Sequence, residues 1–177
     1  MKKSDIKIMP EYFDRYIRLV DDIELDDAFQ NNLDRLAAID LATLKLLQST
    51  AYAEGKWTVK DIFQHVIDTE RVMAYRTLRY ARRDGVIPQG YDQDVFASNA
   101  RAAHRSLEDI LEELRQLHQA TRLMFRSFDD ETLMLTGINW NKEMSVLAMG
   151  FLITGHMIHH FNVIAEKYLP LHIEMAE

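Results

Sequence analysis

Apolar residues recur along this chain at intervals of three and four, the period of a helix, and no segment alternates as a strand would. A short lead helix fits "EYFDRYIRLV" (11–20), with Pro10 tolerated in its first turn and Tyr12, Phe13, Tyr16, Ile17 and Val20 as its apolar stripe. A first long helix is predicted over 26–49, with Phe29, Leu33, Leu36, Ala37, Leu44 and Leu47 inward, ending before Gly55. A second runs over 59–83: Thr58 caps it, Asp61 sits at the third position, and Trp57 and Ile62 are spaced as a hydrophobic staple. A third runs over 106–127, with Ser106 and Asp109 as its cap pair. The last runs over 146–168, capped by Ser145 and ending before Pro170.

The longest connection is 84–104, "DGVIPQGYDQDVFASNARAAH", whose second half has helical character. It is long enough to carry the chain from one end of a bundle to the other, so the helices on either side can run parallel. "DDETLMLTGINWNKE" reads as a loop. With no internal linker, the expectation is one all-α domain over 1–177, a four-helix bundle with a short N-terminal lead helix and a long crossover between helices 2 and 3.

The last helix departs from a plain core pattern. "MSVLAMGFLITGHMIHHFNVI" is apolar nearly all round, yet it carries His156, His159 and His160. Each buried imidazole needs partners for two ring nitrogens. At about 100° per residue, His160 lies about 40° from His156 on the interior face, and His159 about 60° away on the other side, at the edge. The i, i+4 pair His156/His160 suits a shared metal ion. On the second long helix His65 sits on the shoulder of the apolar stripe, beside Thr69, Val72 and Arg76. His65, His156 and His160 together would make a facial site with positions open to water or substrate. The alternative is that they are satisfied core residues.

Glu70 falls inside the apolar arc of the second long helix; it is either a buried partner for an arginine or a carboxylate acting beside a metal. Asp68, one turn beyond His65, is a candidate fourth ligand or base. His104, His118 and His172 read as surface residues.

Composition narrows the chemistry. The 177-residue chain has no Cys, so thiolate ligands, disulfides and cysteine nucleophiles are excluded. Its formal net charge is -7, which disfavours nucleic acid; Arg76, Arg79, Arg82 and Arg83 read as a solvated helix face. The N-terminus lacks an apolar signal core, and the histidines make the last helix a core helix before a membrane span, so a cytoplasmic protein is expected. No phosphate loop, Ser-His-Asp set or nucleotide fingerprint is present.

Three segments carry a family resemblance: "GKWTVKDIFQHVIDTERVMAYRTLRYARRDG", "PQGYDQDVF" and "MSVLAMGFLITGHMIHHFNVI". Together they resemble the DinB-like proteins, over nearly the whole chain from about Tyr12 to Tyr168. The resemblance implies an up-down-down-up bundle and a divalent metal (Zn, Ni or Fe) held by His65, His156 and His160, with His159 outside. It also implies a homodimer. The face of Leu147, Phe151, Ile158 and Phe161 opposite the ligands must be buried by the fold or by such a partner. Some relatives are metal-dependent transferases or isomerases using low-molecular-weight bacterial thiols. The leading expectation is therefore a metal-dependent thiol transferase acting on a small molecule with bacillithiol or a similar cosubstrate. The alternatives are a metal-dependent hydrolase, with Glu70 or Asp68 as base, and a non-catalytic stress-related binding dimer.

Overall fold

The computed structural model describes the backbone of residues 1–176 and side chains as far as His172; Glu177 lies outside the described residues. The elements follow in the order α1 (Asp14–Ile17), α2 (Leu25–Ala37), α3 (Leu41–Leu47), α4 (Val59–Ala81), α5 (Gln93–Asn99), α6 (Leu107–Arg126), α7 (Asp130–Leu133), β1 (Thr136–Asn139), β2 (Lys142–Ser145), α8 (Val146–Lys167) and α9 (Leu169–Ala176).

The caps of the long helices form where the sequence places them. Thr58 and Asp61 close a capping box on α4. Ser106 accepts from the Asp109 amide and Ser145 from the Ala148 amide, each satisfying a donor that the first helical turn leaves free. Elsewhere the pattern is corrected. The lead helix is one turn, and it starts late because Tyr12 stands at φ 71, outside helical space. The expected helix over 26–49 is two: α2 stops at Ala38, and Asp40 starts α3 by accepting from the Ala42 and Thr43 amides. The expected loop before α8 holds α7 and a tight antiparallel hairpin in which Thr136 faces Ser145 and Asn139 faces Lys142. Its two turn residues, Trp140 and Asn141, have φ 45 and 62, as a type I′ turn requires.

Cross-helix contacts give the direction of each helix. Gln64 meets Arg105, Glu70 meets His118 and Arg71 meets Glu113, so α4 and α6 run parallel. Trp57 meets Tyr168 and His65 meets His156, so α4 and α8 are antiparallel. Asn32 donates to the Thr154 carbonyl and Leu25 packs at Gly150, so α2 and α8 are parallel. Asp26 binds Arg122 and Lys45 pairs with Glu108, so α2 with α3 opposes α6. The bundle is up-down-down-up, and the crossover that contains α5 makes the parallel step.

Helix α8 is the centre of the packing. The stretch Val146–His172 is long and apolar enough to cross a membrane by length and composition, and its most apolar window is 72% buried inside the fold. Leu147 and Phe151 are fully buried, so the fold itself covers the first half of the face opposite His156; Ile158 and Phe161 are partly buried. Gly155 permits the close approach of α1: a Cβ there would stand 2.1 Å from the Tyr16 carbonyl oxygen. That approach sets Tyr16 edge-on to His156, with ring centroids 5.3 Å apart.

Candidate metal centre

Two antiparallel helices bring the three histidines together. His65 comes two turns after the α4 cap; His156 and His160 lie one turn apart on α8. The Nε2 of His156 is 3.2 Å from that of His65 and 3.1 Å from that of His160. Ligating atoms of all three lie within 4.8 Å of one another, the one such group found among the described residues. Trp57 tilts over His65 with centroids 4.7 Å apart, and Tyr16 borders His156, so both rings are fixed from outside the cluster.

Hydrogen bonding alone serves this cluster poorly. A neutral ring nitrogen offers either one N–H or one lone pair, and His156 Nε2 has a ring nitrogen on each side. His160 Nδ1 is buried without a partner, and His65 Nδ1 has only a long 3.5 Å contact to Thr69 Oγ1. Charge is excluded as well. Burial pushes His65 down to about 4 and His156 well below its ordinary value, and His160 is lowered chiefly by burial and then by its imidazole neighbours. Three neutral lone-pair donors are the protonation state a metal needs. Nitrogens 3.1–3.2 Å apart also fit it: with bonds of about 2.0–2.1 Å they subtend roughly 100° at an ion, between octahedral and tetrahedral angles. The residues present fit a divalent cation.

His65 and His156 face a pocket of about 250 Å³, roofed by α1, the crossover and the hairpin turn. From the crossover, Tyr91 shares a 2.8 Å hydrogen bond with Thr69, one turn beyond His65, and burial raises the Tyr91 phenol. Further along α4, Arg76 donates to Asn139 Oδ1 at 2.5 Å and to the Gln89 carbonyl at 2.7 Å. Trp140 and Tyr12 stand at the rim, their rings 5.0 Å apart.

Glu70 also lines this pocket, and its partner differs from the expectation. The carboxylate meets His118 rather than an arginine: His118 Nδ1 lies 2.9 Å from Glu70 Oε2, with both side chains essentially buried. His118 was expected at the surface and is instead fully buried beneath Phe29. Its position relative to Ile110 and Leu114 continues the buried stripe of α6 at i+8 and i+4, a signal present in the spacing. Arg76 is likewise buried, not solvated, although the helical wheel already placed it beside His65. Asp68 takes a hydrogen bond from Gln64 and does not join the group of three; burial raises its carboxyl. His159 lies outside the group and packs against Tyr16. The pocket wall contributed by Tyr91 and Trp140 was missed, since loops carry no period that marks their side chains, and Tyr12, expected on the lead-helix stripe, instead precedes α1 and lines the pocket.

A family model for the DinB superfamily matches residues 14–164. The chain belongs to the DinB superfamily. Among solved structures, this DinB chain is similar to YfiT from Bacillus subtilis, described as a probable metal-dependent hydrolase with an unusual four-helix bundle topology. The two share 17% identity over 93% of this chain and 90% of that one, with a TM-score of 0.69. At that identity the likeness concerns the fold, which agrees with the parallel α4/α6 step. No curated protein matches the sequence significantly.

Proposed function

We propose that this DinB chain is a metal-dependent enzyme in which His65, His156 and His160 hold one divalent ion, and that it transfers a low-molecular-weight thiol to a small electrophile. The observation that carries this reading is the convergence of three neutral imidazoles, two of which, His65 and His156, line an aromatic-walled pocket. Such an ion lowers the pKa of a bound thiol or water, making the nucleophile available near neutral pH. The chain does the rest. Trp57 and Tyr16 hold the ligand rings in place. Thr69 and Tyr91 wall the nucleophile's side of the pocket with a hydroxyl pair that can donate or accept. A cosubstrate thiol fits a protein that has no cysteine of its own.

A second reading is hydrolysis by metal-activated water. It is favoured by Glu70, whose Oε1 is buried without a hydrogen-bond partner while the residue lines the pocket, leaving an acceptor for a proton. The description of YfiT points the same way.

The test uses zinc-loaded protein with an aryl halide electrophile, with and without bacillithiol, alongside a panel of small esters and amides. Thiol-dependent turnover that disappears in the His65/His156/His160→Ala triple variant supports the first reading. Thiol-independent hydrolysis that disappears in the same variant supports the second. Turnover untouched by the triple variant overturns both.

A further inference from the structure

We infer that Arg76 is an anion-recognition residue and that the pocket takes a small molecule bearing a carboxylate on an apolar or aromatic body. The inference rests on reading this pocket as a substrate site and names the class of molecule that enters it.

Arg76 is 4% exposed, yet no carboxylate pairs with it among the described residues. Its two hydrogen-bond acceptors, an asparagine side chain and a backbone carbonyl, are neutral, and they engage two of its five N–H groups. A guanidinium keeps its charge at all physiological pH, so burial without an anion leaves a real electrostatic debt of solvation. Tethering the hairpin to the crossover uses the two N–H groups that meet neutral oxygens and leaves the charge itself unmatched. A carboxylate ligand would match it, since the guanidinium edge fits its two oxygens.

The surroundings agree. Arg76 lines the same pocket as His65 and stands eleven residues further along one helix, about 16 Å at 1.5 Å per residue. Side chains on a helix lean toward its N-terminus, so the guanidinium is directed back along the pocket toward the histidines. Between the two ends the walls are aromatic. Trp140 and Tyr12 at the rim are exposed although both are large, and both hold left-handed backbone conformations, at φ 45 and 71. Glu70, the one acidic residue lining the pocket, is engaged by His118 and makes no contact with Arg76.

The experiment compares 3-phenylpropionate with 3-phenylpropanol, molecules of similar shape that differ in charge. Binding to the zinc-loaded chain is read by calorimetry. The wild type should bind the acid at least tenfold more tightly than the alcohol. Arg76→Gln should reduce that preference to about onefold while the zinc content stays unchanged. The His65/His156/His160→Ala variant should lose zinc and keep the preference. That arm leaves Arg76 intact, so the inference stays testable if Arg76→Gln fails to fold. Equal binding of acid and alcohol by the wild type overturns it. So does a preference that follows the histidines and survives Arg76→Gln, since the carboxylate is then held by the ion. Retention of zinc by the triple variant instead defeats the metal reading and leaves the anion result to stand by itself.

Discussion

Helix α4 serves two buried polar clusters that start five residues apart and have opposite logic. Toward α8 it contributes His65 to a set of three like groups, all neutral, with His156 Nε2 3.1–3.2 Å from each of the others, one buried nitrogen, His160 Nδ1, left over and a pocket beside them. Toward α6 it contributes Glu70 to an unlike pair, an acid and a base, joined by one 2.9 Å hydrogen bond at the pocket wall, with Glu70 Oε1 and His118 Nε2 left without partners. An acid and a base answer each other. Three neutral bases cannot, and a shared cation would satisfy them. The difference separates a set of three bases suited to a cation from an acid–base pair that links α4 to α6 at the pocket wall, though both involve buried histidines.

The comparison breaks first at metal content. His156→Ala should lower divalent-metal affinity by more than about 100-fold, with the fold retained, as measured by elemental mass spectrometry and circular dichroism; losing only a hydrogen-bond partner of a ligand costs about 10–100-fold. His118→Ala should do the reverse. It strands a buried carboxyl and should cost about 3 kcal/mol in denaturant unfolding, with metal still bound at about one per chain. If His118→Ala removes the metal, or His156→Ala mainly destabilises, the two clusters have been assigned the wrong way round.

Smaller effects sharpen the boundary between them. Gly155→Ala puts a Cβ against the Tyr16 backbone and should cost about 2 kcal/mol, lowering Tm by roughly 4–8 °C in a thermal melt. Gly55→Ala, in open space at φ +71, should cost about 1 kcal/mol. Tyr91→Phe removes one hydroxyl from the open cluster's side and should cost about 1 kcal/mol or less without altering metal content, because water in the pocket can replace the lost partner.

The part of the fold legible in the sequence is the part governed by local period and caps. Thr58, Ser106 and Ser145 start helices where their hydroxyls predict, and the i, i+4 spacing of His156 and His160 places both rings on one face before any tertiary contact exists. What was illegible has a common cause. Asp40 restarts a helix with a cap inside an apolar run that looks continuous. The hairpin before α8 is too short for alternation to stand out, with four residues in each strand. His118 and Arg76 are polar residues on buried positions, and residue type misleads there because the compensating partner or ligand comes from elsewhere in the chain or from outside it.

The sequence by itself determined the helical class, the main caps, the crossover long enough for a parallel step, and the angular placement of histidines within each helix. These depend on interactions within a few residues. Tertiary structure alone decided that His65 meets His156 and His160, that Glu70 turns to His118, and that Arg76 is buried without an acid beside a pocket. His65–His156 spans 91 residues, Glu70–His118 48, and the Arg76–Asn139 contact that holds the buried guanidinium 63. A periodic pattern fixes which way a side chain points from its own helix, but only the packing of helices against one another decides what stands opposite.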